Sequence, residues 1–317
     1  MYWPKLTTKE IKTKILASLK RNLNFDESLV FGIPGTFLDE KIFDKDAAFL
    51  DDAPFLQILI SNPNHIGCHT IDNLKTEPYF KGTQEIEKHV ISICAEQLFL
   101  AEKDSYDGYV ASGDTEANIQ AIWVYRNLFM KKYNYKPQEI SVVYSEDSHY
   151  SMLKACNMLF LKPCVVSVNE DSRKINLMSL KQEVSLSIDN GAKAFIVVQN
   201  MATTLFGSID DVDIVTSFFE QKKLIFKLHV DAAFGGFLVP FSDNIKNYSF
   251  KNRYVSSVTL DGHKMLQTPY GTGVFLIRKG LLKYVKNEQA KYVKGNDYTI
   301  CGSRSGANAV AIWIGAR

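Results

Sequence analysis

No apolar run in this sequence is long enough to cross a bilayer. Stretches such as the one inside 193–199 (Lys-Ala-Phe-Ile-Val-Val-Gln) fall far short of the roughly 20 residues a spanning helix needs. The N-terminus, Met1-Tyr2-Trp3-Pro4-Lys5, carries no signal-peptide apolar stretch. Cysteine is scarce: Cys68, Cys94, Cys156, Cys164 and Cys301 are five, an odd number and scattered, which argues against a disulfide framework. A dominant charge sign is missing as well. Lys plus Arg number 37 and Asp plus Glu 35, a formal net charge of +2, so the strongly basic balance of a nucleic-acid binder is absent. Repeats, low-complexity tracts and linkers are absent between 85 and 278. With 46% hydrophobic residues, the 317-residue chain can build the core of one large domain or two ordinary ones, and disorder is excluded. These features lead us to expect a soluble, cytoplasmic globular protein with no membrane or nucleic-acid partner.

What is present is alternation. Residues 85–103 place Ile86, Val90, Ile93, Cys94, Leu98 and Leu100 near a 3.6-residue period, which predicts a helix. Short β-branched runs then alternate with amphipathic stretches. Strands are expected at 108–111, 141–144, 165–168, 194–198, 225–230, 255–260 and 273–277. Helices are expected over 115–132, from about Tyr150, around 178–188 and around 211–221. This order predicts an α/β fold, a mostly parallel sheet with helices on both faces. Three segments follow. Residues 1–84, interrupted by Pro34, Pro54, Pro63 and Pro78, are expected to wrap around the body formed by 85–290. Residues 291–317 end in an apolar stretch, 306–317, that begins like a helix and stops. It is either a helix packed on the core or the start of a further domain, and the second reading is the one expected here.

Ligands of parallel sheets gather at the carboxyl ends of the strands. After the first strand, Ser112-Gly113-Asp114-Thr115 opens a helix whose free N–H groups and dipole would suit an anion. An ordinary N-cap by Ser112 or Asp114 explains the same residues. His149 follows the 141–144 strand, as a surface residue or as a flat plate against a planar group. Asp231 closes an apolar strand and needs a partner, which could be a metal, an arginine or a protonated ring nitrogen. The small residues Ala232, Ala233, Gly235 and Gly236 leave room for something flat. Lys264, after the 255–260 strand, would be desolvated, with a lowered pKa and an amine free to attack carbonyls; a tip reaching solvent is the ordinary alternative. Together the four meet the needs of pyridoxal phosphate: phosphate cradle, ring stack, pyridinium partner and Schiff-base lysine. His65, Cys68 and His69 look like metal ligands, but a structural zinc site needs a second pair nearby. No metal is expected, and 62–69 is expected to line a substrate pocket.

At these residues the sequence resembles the group II pyridoxal-phosphate-dependent amino-acid decarboxylases, the relatives of the glutamate, histidine, aromatic amino-acid and archaeal tyrosine/aspartate enzymes. The matching stretches are SGDTEANIQAIWVYRN (112–127), SEDSHYSMLKA (145–155), ATTLFGSIDD (202–211), HVDAAFGGFLVPF (229–241), TLDGHKM (259–265) and CGSRSGANAVAIW (301–313). They run in the family's order over 100–313. The resemblance implies a type I pyridoxal-phosphate enzyme fold, a homodimer with shared active sites, and decarboxylation of an L-amino acid to its amine and carbon dioxide.

By the same resemblance, Lys264 would hold the cofactor as a Schiff base and His149 would stack on its ring. Asp231 would pair with the pyridine nitrogen, and Ala233 would pack on the other face. Gly113, Asp114, Thr115 and His263 would surround the phosphate, with Thr204 near the ring and the substrate carboxylate. Apart from the resemblance, His149 or Tyr292 is expected to donate a proton, His65 to line the substrate pocket and Arg304 to shape the active-site entrance. Two departures stand out. Members usually have glycine where this chain has Asp114, which sets a carboxylate beside a phosphate dianion unless the side chain points outward as a cap. They also continue past Gly302-Ser303-Arg304 into a small C-terminal domain that is largely absent here. Because cofactor residues do not fix which bond is cleaved, another carbon–carbon lyase, an aminotransferase, a desulfurase or an inactive dimer-forming pseudo-enzyme stay open at this point.

Overall fold

Runs such as Ala194–Asn200 and Val255–Asp261 offer no polar face, so they need cover on both sides. In the computed structural model every residue of both is buried. The structure describes residues 5–23, 38–39, 42–44, 46–71, 79–242, 245–287 and 296–317. Helices α1 (Thr8–Leu19) and α2 (Pro54–Ser61) come first, then the short strand β1 (Asn64–Ile66) and α3 (Lys81–Ser92). Next are β2 (Tyr106–Ala111), α4 (Asp114–Tyr133), β3 (Ile140–Ser145), α5 (Ser151–Leu159), β4 (Lys162–Val166) and α6 (Leu177–Asp189). Then follow β5 (Ala194–Asn200), α7 (Val212–Gln221), β6 (Ile225–Asp231) and β7 (Val255–Asp261). The described chain closes with β8 (Gly273–Arg278), β9 (Ser303–Ser305) and α8 (Gly306–Gly315).

The main sheet has the order β2-β8-β7-β6-β5-β3-β4. Strands β4, β3, β5, β6 and β7 are parallel, while β8 is antiparallel to both neighbours. β2 therefore runs with the parallel set, and the expected mostly parallel sheet is what the fold contains. Alternate residues feed two cores. Phe195 and Val197 pack with Leu180, Val184, Phe219, Val310 and Trp313, whereas Ile196 and Val198 pack with Ile122, Tyr125 and Met152. Pro163 sits in β4, an outer strand where its missing N–H does least harm. Among the described residues no helix is long and apolar enough to cross a membrane.

Several boundaries differ from the expectation. The helix expected over 85–103 begins at Lys81, and its α part ends at Ser92. A π-helical turn, Ile93–Leu98, carries the apolar pattern on before Leu100 breaks it with φ 51°. Pro54 starts α2 instead of interrupting structure, because a first-turn proline has no N–H to lose. Residues 1–84 contain a capped helix: Thr7 and Glu10 form a reciprocal capping box at the start of α1. Helix α8 is buried with the main core, packed on α3 and α2, and the Arg317 carbonyl accepts from the Leu6 N–H at 3.2 Å.

Strand β2 is an outer strand, and its outward backbone groups need partners. Side chains supply them. The Val110 N–H donates to Glu87 Oε1 at 2.8 Å, and Arg304 donates to the Val110 carbonyl at 2.8 Å. The Gly108 N–H donates to Thr70 Oγ1 at 3.0 Å, and Cys68 Sγ lies 3.2 Å from the Gly108 carbonyl. Arg304 and Glu87 pair at 2.6 Å, Arg304 also donates to the Gly67 carbonyl, and β1 and β9 set His65 opposite Arg304. Burial alone would raise the Glu87 carboxyl; Arg304 and His65 overcome it and hold the group well below the usual range.

Removing one member of this buried pair leaves a charge without compensation. Arg304→Met is expected to cost roughly 3–5 kcal/mol. Lys12→Met, which breaks a surface pair with the exposed Asp52, is expected to change little. Urea denaturation of both variants checks the contrast, and equal effects would contradict the edge-strand account.

Candidate active site

The carboxyl ends of five parallel strands bring one set of side chains together. Asp114 follows β2, His149 follows β3, Asn200 ends β5 with Ala202, Thr203 and Thr204 after it, Asp231 closes β6 and Lys264 follows β7; all line one cleft with Ala233 and Phe234. Six of the sequence-derived candidates therefore meet: Asp114, His149, Thr204, Asp231, Ala233 and Lys264.

Asp231 is 6% exposed, and neutral donors hold it. Oδ2 accepts from Asn118 Nδ2 at 2.9 Å and Oδ1 from the Ala233 N–H at 3.1 Å. Behind them runs a directional chain of hydrogen bonds. Tyr125 Oη donates to Ser257 Oγ at 2.5 Å, and Ser257 lies 2.7 Å from His229 Nδ1. His229 Nε2 lies 2.8 Å from Asn118 Oδ1, which requires the proton on that nitrogen because an amide oxygen only accepts. Burial drives the His229 pKa down to about 3, so the ring is neutral. Burial and nearby Asp114 raise the Asp231 carboxyl.

Lys264 Nζ lies 3.1 Å from Asp261 Oδ2 and 3.8 Å from Asp114 Oδ2. The expectation of a lowered lysine pKa is corrected here. Burial does push it down, but Asp261 and Asp114 push harder the other way, and the net direction is up. Burial and Asp114 in turn push the Asp261 carboxyl up to about 7. The Asp114 side chain turns into the cleft, with Oδ2 3.0 Å from His149 Nδ1. His149 Nδ1 also lies 2.9 Å from Ser151 Oγ, which accepts from Asn118 at 3.1 Å.

At the start of α4, Gly113 is the N-cap residue and has no side chain to close the first turn. A Cβ on Gly273 would come within 2.6 Å of the Gly113 Cα, so β8 can approach only as glycine. His263 packs beside this turn, its ring 5.1 Å from that of Tyr270 and its Nε2 3.4 Å from Asp261 Oδ2. Thr115 is the second residue of α4.

His65 and Arg304 are not brought to this cleft; both are buried in the clamp on β2. His65, His69 and Glu87 do place their ligand atoms within 4.8 Å of one another. Arg304 already neutralises Glu87, so a metal cation there would add an unpaired charge. Tyr292 lies outside the described residues. Asn118, Asp261 and His229 are the residues that sequence reading left without a role. A signal existed for two: Asn118 falls one turn after Asp114 on the same helix face, and Asp261 closes an apolar strand as Asp231 does.

The donor set suits pyridoxal phosphate. A buried carboxylate hydrogen-bonded by neutral donors would welcome a protonated ring nitrogen, and the small Ala233 and the imidazole of His149 border a slot for a flat group. A helix start and an amine complete it; the Asp114 carboxylate is the one misfit.

Comparison with known proteins agrees. The pyridoxal-dependent decarboxylase conserved domain matches residues 63–308. Tryptophan decarboxylase of Clostridium sporogenes is 46% identical over 313 residues, covering 99% of this chain and 75% of that protein. A probable L-tyrosine/L-aspartate decarboxylase of Methanosphaera stadtmanae is 33% identical over 248 residues, covering 76% of this chain and 59% of that protein. Among solved structures, L-methionine decarboxylase of a Streptomyces strain superposes with a TM-score of 0.69 at 20% identity, covering 99% of this chain and 76% of that one. Glutamate decarboxylase of Lactobacillus brevis superposes at 0.64 and 20% identity, covering 99% and 68%, which speaks for the fold alone. By its matched domain and its nearly full-length likeness to a curated member, this chain belongs to the pyridoxal-dependent decarboxylase family, whose cofactor is pyridoxal phosphate.

Proposed function

We propose that this chain decarboxylates an aromatic L-amino acid, with L-tryptophan the first substrate to test, and that Lys264 carries the cofactor. The observation that supports it most is the meeting of the Lys264 amine, the His149 imidazole and the buried Asp231 carboxylate in one cleft. The choice of substrate rests on the 46% identity to the Clostridium sporogenes enzyme.

When bound, pyridoxal phosphate supplies an electron sink for the pair left behind as the substrate carboxylate departs. The chain's own groups do the rest. Lys264 Nζ would hold the cofactor covalently. Asp231, aimed by Asn118 and the Ala233 N–H, keeps a proton at the ring nitrogen and so stabilises charge that develops toward it. His149, held through Nδ1 by Ser151, is assigned to one ring face and Ala233 to the other. Gly113, Thr115 and His263 are assigned to the phosphate end, and Thr204 to the substrate carboxylate.

Exposed apolar side chains flank the cleft on three loops: Tyr150 is 65%, Leu205 82% and Tyr270 88% exposed. We assign them to contact with a second copy of this chain in a homodimer. A cytoplasmic setting is supported by five cysteines that are all unpaired.

Two measurements follow. With added cofactor, a panel of L-amino acids is expected to give carbon dioxide and amine from L-tryptophan in preference to glutamate, aspartate and histidine, and Lys264→Ala is expected to lose both turnover and the visible cofactor band. Keto acid or aldehyde as the main product would overturn the reading. Light scattering is expected to report the mass of two chains, and Tyr270→Glu with Leu205→Glu to shift it toward one; a single-chain mass for the unaltered protein would contradict the dimer.

A further inference from the structure

Asp114 stands at the first position of α4. Helix N–H groups gather there, and a phosphate would be expected to use them. The surrounding backbone has no slack on one flank, since a Cβ on Gly273 would lie 2.6 Å from the Gly113 Cα and 2.7 Å from its nitrogen.

The Asp114 side chain is 13% exposed, and Oδ2 lies 3.0 Å from His149 Nδ1 and 3.8 Å from Lys264 Nζ. The Thr115 N–H also helps to hold its charge. One carboxylate thus lies beside an imidazole, an ammonium and a helix-start N–H, the last being a group that a phosphate at the start of α4 would seek. Its other titratable neighbours are Asp231 from β6 and Asp261 from β7, with His263 from the turn after β7.

On the reading of this cleft as the pyridoxal phosphate site, we propose that Asp114 is an internal anion. It occupies the phosphate end of the cleft in the cofactor-free chain and must swing away before a phosphate-bearing ligand is held. Acidification offers little relief near neutral pH. Burial raises the Asp114 carboxyl, but His149 and Lys264 outweigh burial and hold it below its ordinary range. Two anions crowded into one partly buried site repel strongly, so the side chain leaves the cradle by rotation. The consequence concerns specificity. This chain gains less from the phosphate group of its cofactor than a glycine-bearing chain would.

Titrations of pyridoxal phosphate and of phosphate-free pyridoxal, followed by visible absorbance and tryptophan fluorescence, test this. They are run on the unaltered chain, Asp114→Gly, Asp114→Asn and Lys264→Ala. The asparagine variant keeps the volume and removes the charge. Both Asp114 variants are expected to bind pyridoxal phosphate about tenfold tighter or more, with pyridoxal changed less than about threefold. An unchanged or reduced preference for the phosphate-bearing ligand overturns the proposal, as does a gain with glycine alone, which would make the effect steric. If no Lys264-dependent band forms with either ligand in any version, the reading of the cleft falls, and this inference with it.

Discussion

A carboxylate inside an apolar sheet is costly unless its oxygens find donors, and the cleft is arranged around that requirement at Asp231. The relay from Tyr125 through Ser257, His229 and Asn118 meets it without a cation. Each link runs in one direction, because a neutral imidazole and a primary amide each have fixed donor and acceptor ends. The relay ties α4 to β7 and β6 and so sets the rotation of α4 about its own axis. Asn118 and Asp114 share one face of that helix, four residues apart, so orienting the first aims the second into the cleft.

The second organising force is charge balance around Lys264. Burial by itself releases a proton from a lysine, but Asp261 at 3.1 Å and Asp114 at 3.8 Å reverse the sign and hold the ammonium. Asp261 carries part of the cost of this crowding, since burial and Asp114 push its carboxyl up to about 7. The cleft's own carboxylates therefore hold a cation at Nζ.

Much of this was legible in the sequence. Strands such as Ala194–Asn200 are apolar on both faces, so their existence and order could be read directly, and parallel order puts their ends on one edge. The residues that follow those ends, Asp114, His149, Asp231 and Lys264, were singled out for that reason and do meet. The Thr7–Glu10 capping box was also readable, although α1 was not expected. Strands β1 and β9 left no trace, since three residues carry no periodicity. That is why His65 and Arg304 were expected at the substrate pocket and its entrance, whereas they close the outer edge of β2 beside Glu87.

The sequence by itself determined the fold class, the cofactor chemistry and which residues stand at strand ends, because hydrophobic runs and local turns are encoded within a few neighbouring residues. Only the tertiary structure decided the direction of the Lys264 pKa shift, the inward turn of Asp114 and the use of Arg304 as a clamp. Those outcomes depend on distances and burial that folding sets, within a turn for Lys264 and Asp261 and across the chain for the 2.6 Å between Arg304 and Glu87, and such contacts have no signature in hydrophobic pattern.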